Sequence, residues 1–168
     1  MLTERLQARC PSASPVGPAR ATGFAVAIAK KSADRSGKAT LTPASREMPQ
    51  ETFGVLFEIH MGERASLDHA EGPGYERDDA FAVALMQCGR RYEASTYIAR
   101  DTHVAQGLHA FCWYRALIIA GAEQHGLPRY HVARLHAAPF RPDPNLQRTS
   151  HKEAINVLES AGFKHLLP

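Results

Sequence analysis

Apolar and polar positions alternate with the two-residue period of β-strands through much of the first half of the chain. Bulky side chains alternate with alanine over residues 22–29, and residues 53–60 alternate in the same way. Residues 80–87 and 91–99 predict a hairpin, because Cys88-Gly89 between them is a residue–glycine turn of the kind that tight hairpins use. The pattern therefore predicts a region built of β-strands.

Helices are predicted mainly in the second half of the chain, with two short ones among the strands. Residues 2–8 and 62–70 predict the short helices, and residues 129–137 predict a later one. The clearest helix covers residues 113–125, where apolar side chains recur at helical spacing. Its predicted buried stripe comprises Tyr114, Leu117, Ile118, Gly121, Ala122 and His125. Strands early and helices late predict an α+β domain.

In three stretches the apolar residues recur at neither strand nor helix spacing, which predicts connections between secondary-structure elements. Residues 10–19 contain three prolines and predict a turn-rich connection. Residues 31–52 are polar and predict a long loop, interrupted by one short strand. Residues 141–144 contain two prolines and predict a break before the last helix. We expect that helix to begin with a capping box formed by Ser150 and Glu153.

Composition and charge narrow the class of protein. The chain has 168 residues, 44% of them apolar and 22% charged, which is ordinary for one globular domain. A net charge of +3 is too small to predict a nucleic-acid partner. No apolar stretch reaches the ~18 residues of a membrane span, and we expect no signal peptide. Three scattered cysteines predict free thiols in a reducing compartment, so we expect a cytoplasmic protein without a membrane partner.

Common cofactor and nucleophile signatures are missing from the sequence. The nine histidines form no HExxH or HxH pattern, and the cysteines are not spaced for zinc. The sequence contains no GxSxG nucleophile turn, no GxGxxG fingerprint and no Walker motif. We therefore expect neither a metal nor a cofactor.

One carboxylate stands at an unusual helix position. Glu71 ends the short predicted helix, where a negative charge faces the negative end of the helix dipole at a cost of about 0.3–1 kcal/mol. Asp68, one turn earlier, adds repulsion between like charges. Both effects favour a protonated carboxyl, which suits a general acid/base at neutral pH. The alternative is a surface glutamate that precedes a helix-ending glycine.

Several blocks of sequence carry a family resemblance. Residues 54–59 read GVLFEI, residues 66–72 read SLDHAEG, Tyr75 comes next, and residues 114–128 read YRALIIAGAEQHGLP. In this order they strongly resemble the gamma-glutamylcyclotransferase family, which has an AIG2-like fold. The resemblance extends to about Leu135, and it implies an α+β fold: a small mixed β-barrel or sheet with flanking helices.

The resemblance also implies a domain organisation and three site residues. Residues 1–140 would form the gamma-glutamylcyclotransferase-like domain, and residues 141–168 a proline-rich linker and a C-terminal helix. Glu71 matches the glutamate that serves the family as catalytic acid/base. Tyr75 and Tyr114 match tyrosines that line the substrate pocket. Because Tyr114 also belongs to the apolar stripe of its helix, a purely structural role is the alternative for that residue.

The family converts a gamma-glutamyl amide to 5-oxoproline and releases the amine. The substrate's own α-amino group attacks, so one carboxylate can take a proton from it and give one to the leaving amine. Two alternatives remain open: a non-catalytic protein that binds small molecules or a partner, and a lyase for another gamma-glutamyl compound such as a gamma-glutamyl amine. Neither the leaving amine nor the choice between monomer and homodimer can be inferred from the sequence.

The start of the chain departs from the family pattern. The family opens with a strand ending in YGSN, a loop whose backbone N–H groups bind the gamma-glutamyl group. Residues 1–6 read MLTERL, which resembles the segment directly after YGSN in close relatives. On this resemblance we expect the chain to be truncated at its N-terminus.

We predict that the chain beginning at Met1 folds like the family but forms 5-oxoproline slowly. One oxyanion donor contributes about 10²–10³ in rate, and a whole loop of donors contributes more. The measurement compares 5-oxoproline release and melting temperature with those of a version extended upstream through any encoded YGSN-like segment. Equal activity in the two, or the absence of YGSN codons upstream, would contradict the expectation.

Overall fold

Strands and helices occur in the predicted α+β arrangement in a computed structural model that describes residues 2–45 and 51–167. The strands are β1 (Ser14–Thr22), β2 (Phe24–Lys31), β3 (Gly37–Pro43), β4 (Glu51–Glu58), β5 (Tyr75–Leu85), β6 (Arg91–Ala99), and the two-residue β7 (Ala110–Phe111) and β8 (Phe140–Arg141). The helices are α1 (Thr3–Gln7), α2 (Arg64–Glu71), α3 (Cys112–Gln124), α4 (Arg129–Ala137) and α5 (Thr149–Ser160). Short 3₁₀ turns occupy Met61–Glu63, Asp101–His103 and Lys164–Leu166.

The strands form an antiparallel sheet with the order β4-β1-β5-β6, a separate β2–β3 hairpin and a short parallel pair of β7 and β8. Over the described residues, β4 and β6 each pair with one neighbour, and a groove of about 760 Å³ runs between them. The predicted α+β fold, a small sheet with flanking helices, is thus confirmed, and the main sheet is antiparallel. Within the described part of the chain, its strands do not close into a barrel.

Several elements lie where the local pattern predicts them. The helix at Arg129–Ala137 has the predicted bounds, and the clearest predicted helix is α3. The β5–β6 hairpin turns at Gly89, which has a φ of 71° that glycine adopts without strain. Local periodicity and turn chemistry decide these elements.

The prediction of a turn-rich connection over residues 10–19 was wrong, because β1 begins at Ser14 and runs through Pro15 and Pro18. Strand β1 pairs with β4 over its length but with β5 only at Ala19 and Arg20. Near Pro18 that side of the strand receives a hydrogen bond, from the Met86 backbone N–H to the Pro18 carbonyl at 2.9 Å. This bond needs no N–H from the proline, so a residue without an N–H is tolerated there.

The short strand predicted within residues 31–52 is β3, but the long loop predicted around it was wrong, because β3 forms a hairpin with β2. Residues 46–50 lie outside the described residues. Asp34 makes the turn: its Oδ1 accepts hydrogen bonds from the Ser36 backbone N–H at 2.9 Å and from the Ser36 hydroxyl at 2.6 Å. Between them, Arg35 takes a φ of 63°. A side chain that closes its own turn allows tight reversal in a polar sequence.

The predicted capping box at the last helix was wrong. Helix α5 starts at Thr149 after Arg148, whose side chain makes no capping hydrogen bond. Glu153 instead forms an ion pair with Arg5, with Nη1 of Arg5 3.2 Å from Oε2 of Glu153. The Glu153 carboxylate, which the capping box would have bound to the helix start, is thus bound by the distant Arg5.

The C-terminal helix packs into the same core as α3. Ala154 and Leu158 of α5 are fully buried, and they lie in one cluster with Leu2, Trp113 and Leu117. The proposed boundary near residue 140 therefore does not divide the hydrophobic core, because the helix after it packs into the core of the residues before it.

We predict that Leu158→Ala lowers the free energy of unfolding by about 2–5 kcal/mol, because it leaves a cavity beside α3 in a fully buried position. Urea unfolding monitored by Trp113 fluorescence measures the change. Asn156→Ala, at an exposed position of the same helix, is the control and should stay within about 0.5 kcal/mol. A loss no larger than that of the control would show that α5 is not part of the folding core.

Candidate active site

The three residues predicted for the site lie on the wall of one cavity. Glu71, Tyr75 and Tyr114 line a cavity of about 680 Å³, although Tyr114 is distant from the other two in sequence. The end of α2, the start of β5, the β2–β3 hairpin and the first turns of α3 surround it, together with residues just before and at the start of α5. The fold thus assembles the site from segments far apart in the chain.

The end of α2 places Glu71. The helix stops because Gly72 has a φ of 76°, and the Gly72 backbone N–H donates to the Asp68 carbonyl at 3.1 Å. The Asp68 carboxylate accepts a hydrogen bond from the Tyr97 hydroxyl at 2.7 Å and also contacts Arg77. Hydrogen bonds from Arg77 and then Tyr97 hold the pKa of Asp68 below its usual range. Asp68 therefore ties the last turn of α2 to β5 and β6.

The charge that faces Glu71 differs from the expectation. Asp68 was expected to repel it, but Asp68 is bound to its own partners, and Arg9 lies against Glu71 instead. Nη1 of Arg9 is 2.8 Å from Oε1 of Glu71 in a partly buried ion pair. Sequence reasoning missed Arg9, because a residue just past α1 has no local signal that links it to the end of α2. No other hydrogen bond involves the Glu71 carboxylate within residues 2–45 and 51–167.

The two tyrosines bind the backbone of the same β3 residue, Ala39. The Tyr75 hydroxyl donates to the Ala39 carbonyl at 2.7 Å, and the Tyr114 hydroxyl accepts from the Ala39 N–H at 3.0 Å. Burial raises the pKa of Tyr114 to about 12, and burial together with Tyr114 and Glu71 raises the pKa of Tyr75. Both hydroxyls are therefore neutral at neutral pH. Tyr114 spends only an acceptor position on Ala39, so its own proton is available to another group.

A second ion pair lines the hairpin side of the cavity. Nζ of Lys38 is 2.9 Å from Oδ2 of Asp34 and lies over the Trp113 and Tyr114 rings, 4.7 Å from each centroid. Burial would raise the pKa of Asp34, but hydrogen bonds from Lys38 and Ser36 outweigh it and lower that pKa to about 2. These residues were missed because the hairpin was interpreted as a loop.

The segment before α5 adds a further cation. Nε of Arg148, on the cavity wall, is 3.0 Å from Oδ2 of Asp143, which also accepts a hydrogen bond from Nε1 of Trp113 at 2.9 Å. Burial disfavours the Asp143 carboxylate, but these donors and the Asn145 backbone N–H outweigh it, so its pKa lies below the usual range. The sequence of this segment predicts no functional role, yet the segment closes one side of the cavity.

No group of three or more metal-ligating side chains occurs in the part of the chain that the structure describes. Cys10 and Cys112 are buried, Cys88 is exposed, and all three are free thiols. None of the helices in the described ranges is long and apolar enough to cross a membrane.

We predict that the Asp34–Lys38 pair makes the free energy of unfolding decrease as the pH falls from 5 to 2. Because the pKa of Asp34 falls from about 3.9 in the unfolded chain to about 2, the carboxylate stabilises the fold above pH ~4 by roughly 2 kcal/mol. That contribution is lost as the pH falls toward 2. In Asp34→Asn, the free energy of unfolding should fall less between pH 5 and pH 2, as measured by urea unfolding. The exposed Asp101→Asn is the control, and equal pH dependence in the two variants would refute the assignment.

Comparison with known proteins places this fold among solved structures. A crystal structure of an uncharacterized protein from Homo sapiens has a TM-score of 0.77 and 25% identity, covering 94% of this chain and 92% of that one. A structure described as a gamma-glutamyl cyclotransferase has a TM-score of 0.78 and 24% identity, covering 95% and 92%. YkqA from Bacillus subtilis has a TM-score of 0.60 and 20% identity, and here the alignment covers 82% of this chain and 49% of that one.

A sequence search of the curated proteins finds no match. A family model described as the AIG2-like family matches residues 51–135, which is half of the chain. The matched range contains Glu71, Tyr75 and Tyr114, together with α2, the β5–β6 hairpin and α3. The fold and the matched range lead to one conclusion: the chain belongs to the AIG2-like family.

Proposed function

We propose that this protein is a gamma-glutamylcyclotransferase, which cyclises the glutamyl part of a gamma-glutamyl amino acid or amide to 5-oxoproline and releases the amine. One observation carries the proposal: Glu71 presents a carboxylate to a cavity of about 680 Å³ whose wall also holds two neutral tyrosines. The similarity in fold to a gamma-glutamyl cyclotransferase supports it. We propose no metal, nucleotide or other cofactor for this reaction.

The proposed reaction needs one group that can both accept and donate a proton. The α-amino nitrogen of the substrate forms a bond to the side-chain carbonyl carbon, and the bond from that carbon to the leaving nitrogen then breaks. Glu71 takes a proton from the attacking nitrogen and delivers it to the leaving nitrogen. The nucleophile belongs to the substrate, so the protein has to hold the glutamyl chain curled for an intramolecular attack.

The contacts of Glu71 suit its proposed role in proton transfer. Arg9 contacts Oε1, which fixes the orientation of the carboxylate. Oε2 makes no hydrogen bond within the described ranges of the chain, so it is the oxygen that we assign to proton transfer. Arg9 is therefore proposed as a positioning residue for Glu71.

The tyrosines divide the binding role between them. Because Tyr114 accepts a hydrogen bond from Ala39, its hydroxyl proton can be donated to the substrate carbonyl as negative charge develops on the oxygen. Tyr75 uses its proton on the Ala39 carbonyl, so it offers the substrate its ring face and an oxygen lone pair. We propose both as substrate-binding residues.

We predict that Glu71→Gln lowers the rate of 5-oxoproline release from gamma-glutamyl-L-alanine by about 10²–10⁴-fold, because the amide keeps the shape and loses proton transfer. Product analysis by chromatography measures the rate, and the melting temperature reports folding. Glu76→Gln, at an exposed position five residues along the chain, is the matched control and should retain full activity.

Similar rates in the Glu71→Gln variant and its parent would overturn the assignment of Glu71. Failure of the parent, and of the version extended upstream through any encoded YGSN-like segment, to release 5-oxoproline from any of several gamma-glutamyl amino acids and amines would overturn the enzymatic proposal. Binding of those compounds without turnover would then identify a binding protein on the same scaffold.

A further inference from the structure

The cavity wall carries five cationic side chains, and four of them have a carboxylate partner. The pairs are Arg5 with Glu153, Arg9 with Glu71, Lys38 with Asp34, and Arg148 with Asp143. The fifth cation is Lys30, near the end of β2, which is only 9% exposed. Its ammonium has neither an ion pair nor a hydrogen bond to any residue in 2–45 or 51–167.

The fold makes specific room for the Lys30 side chain. A Cβ atom at Gly74 would lie 2.7 Å from Cε of Lys30 and 2.9 Å from Cδ2 of His103, so any larger residue there would force these side chains to shift. Nζ of Lys30 lies over the Tyr75 ring, 4.8 Å from its centroid. Gly74 therefore leaves space for the Lys30 side chain, and its neighbour Tyr75 places an aromatic ring against the ammonium.

The contacts of the Lys30 ammonium do not make up for the hydration that it loses on burial. Burying a charge without a partner is unfavourable, and a cation–π contact offsets only part of the loss of hydration. Burial lowers the pKa of Lys30, while the nearby carboxylates of Glu71 and Asp34 act in the opposite direction. Glu71 and Asp34 are themselves engaged with Arg9 and Lys38, so among the described residues no carboxylate is left to pair with Lys30 alone.

We propose that Lys30 binds a carboxylate of the substrate and determines specificity for gamma-glutamyl compounds that carry it. The inference rests on the proposed function and names the substrate chemistry of the same cavity. A gamma-glutamyl amino acid has two such groups, the α-carboxylate of the glutamyl part and the carboxylate of the leaving amino acid. Each lies two bonds from a nitrogen that Glu71 would serve, so a cation beside Glu71 can reach either.

The test measures binding, which does not depend on turnover. Calorimetry compares L-5-oxoproline with 2-pyrrolidinone, the same ring without its carboxylate, and L-alanine with ethylamine. The parent should prefer the acid in one pair, and that pair identifies the carboxylate that Lys30 holds. Lys30→Met should weaken binding of that acid by roughly 10–100-fold and leave its uncharged analogue unchanged. Lys31→Met, at the exposed neighbouring position, should bind like the parent.

Kinetics with gamma-glutamyl-L-alanine and gamma-glutamylethylamide give a second readout. Lys30→Met should raise KM more than it lowers kcat for donors that carry the identified carboxylate, and Lys30→Arg should restore most of the affinity. Equal binding of acid and analogue by the parent, or equal losses for all ligands in a folded Lys30→Met variant, would overturn the proposal. If Lys30→Met does not fold, Lys30→Gln and Lys30→Arg are compared in its place.

The two proposals fail in different ways. Carboxylate binding through Lys30 without 5-oxoproline release would refute the proposed reaction and keep Lys30 as an anion-binding residue. Release of 5-oxoproline with unchanged affinity in the Lys30 variants would keep the reaction and refute the role of Lys30.

Discussion

The backbone of Ala39 is the point at which the walls of the cavity meet. Its carbonyl and its N–H are held by the hydroxyls of Tyr75, at the start of β5, and Tyr114, on α3. Through this residue the β2–β3 hairpin, the sheet and the helical layer keep fixed positions relative to one another. Two neutral hydroxyls also satisfy an edge of β3 that another strand would otherwise have to cover. The same contacts therefore stabilise the fold and orient the tyrosines toward the proposed substrate.

Charge in the cavity is organised in pairs that join distant segments. Arg9 connects the end of α1 to the end of α2, and Arg148 connects the segment before α5 to the buried Asp143. Such pairs have to be completed by hydrogen bonds to be tolerated when partly buried, and the donors around Asp143 meet this requirement. Against this background Lys30, whose ammonium has no ion pair within residues 2–45 and 51–167, is the group for which we propose a substrate carboxylate as partner.

The C-terminal segment has a larger part than its position outside the family match suggests. Helix α5 contributes Ala154 and Leu158 to the core, and the residues before it bring Arg148 to the cavity. The buried contact between Asp143 and Trp113 connects the two functions, because Trp113 belongs to the same core cluster and lies beside Lys38. Packing of the helix and closure of the cavity are thus one structural arrangement.

The sequence by itself determined the elements whose signals are local. The helix at residues 129–137, the turn at Gly89 and the end of α2 at Gly72 result from periodicity and backbone preference, and the family-like blocks singled out Glu71, Tyr75 and Tyr114. Only the tertiary structure decided which strands pair and which charged side chains form ion pairs. Strand β1 passes through two prolines because β4 pairs with its length, Arg9 rather than Asp68 faces Glu71, and Glu153 binds Arg5 instead of capping its helix. These contacts join residues far apart in the chain, and competition among long-range partners leaves no periodic trace in the sequence.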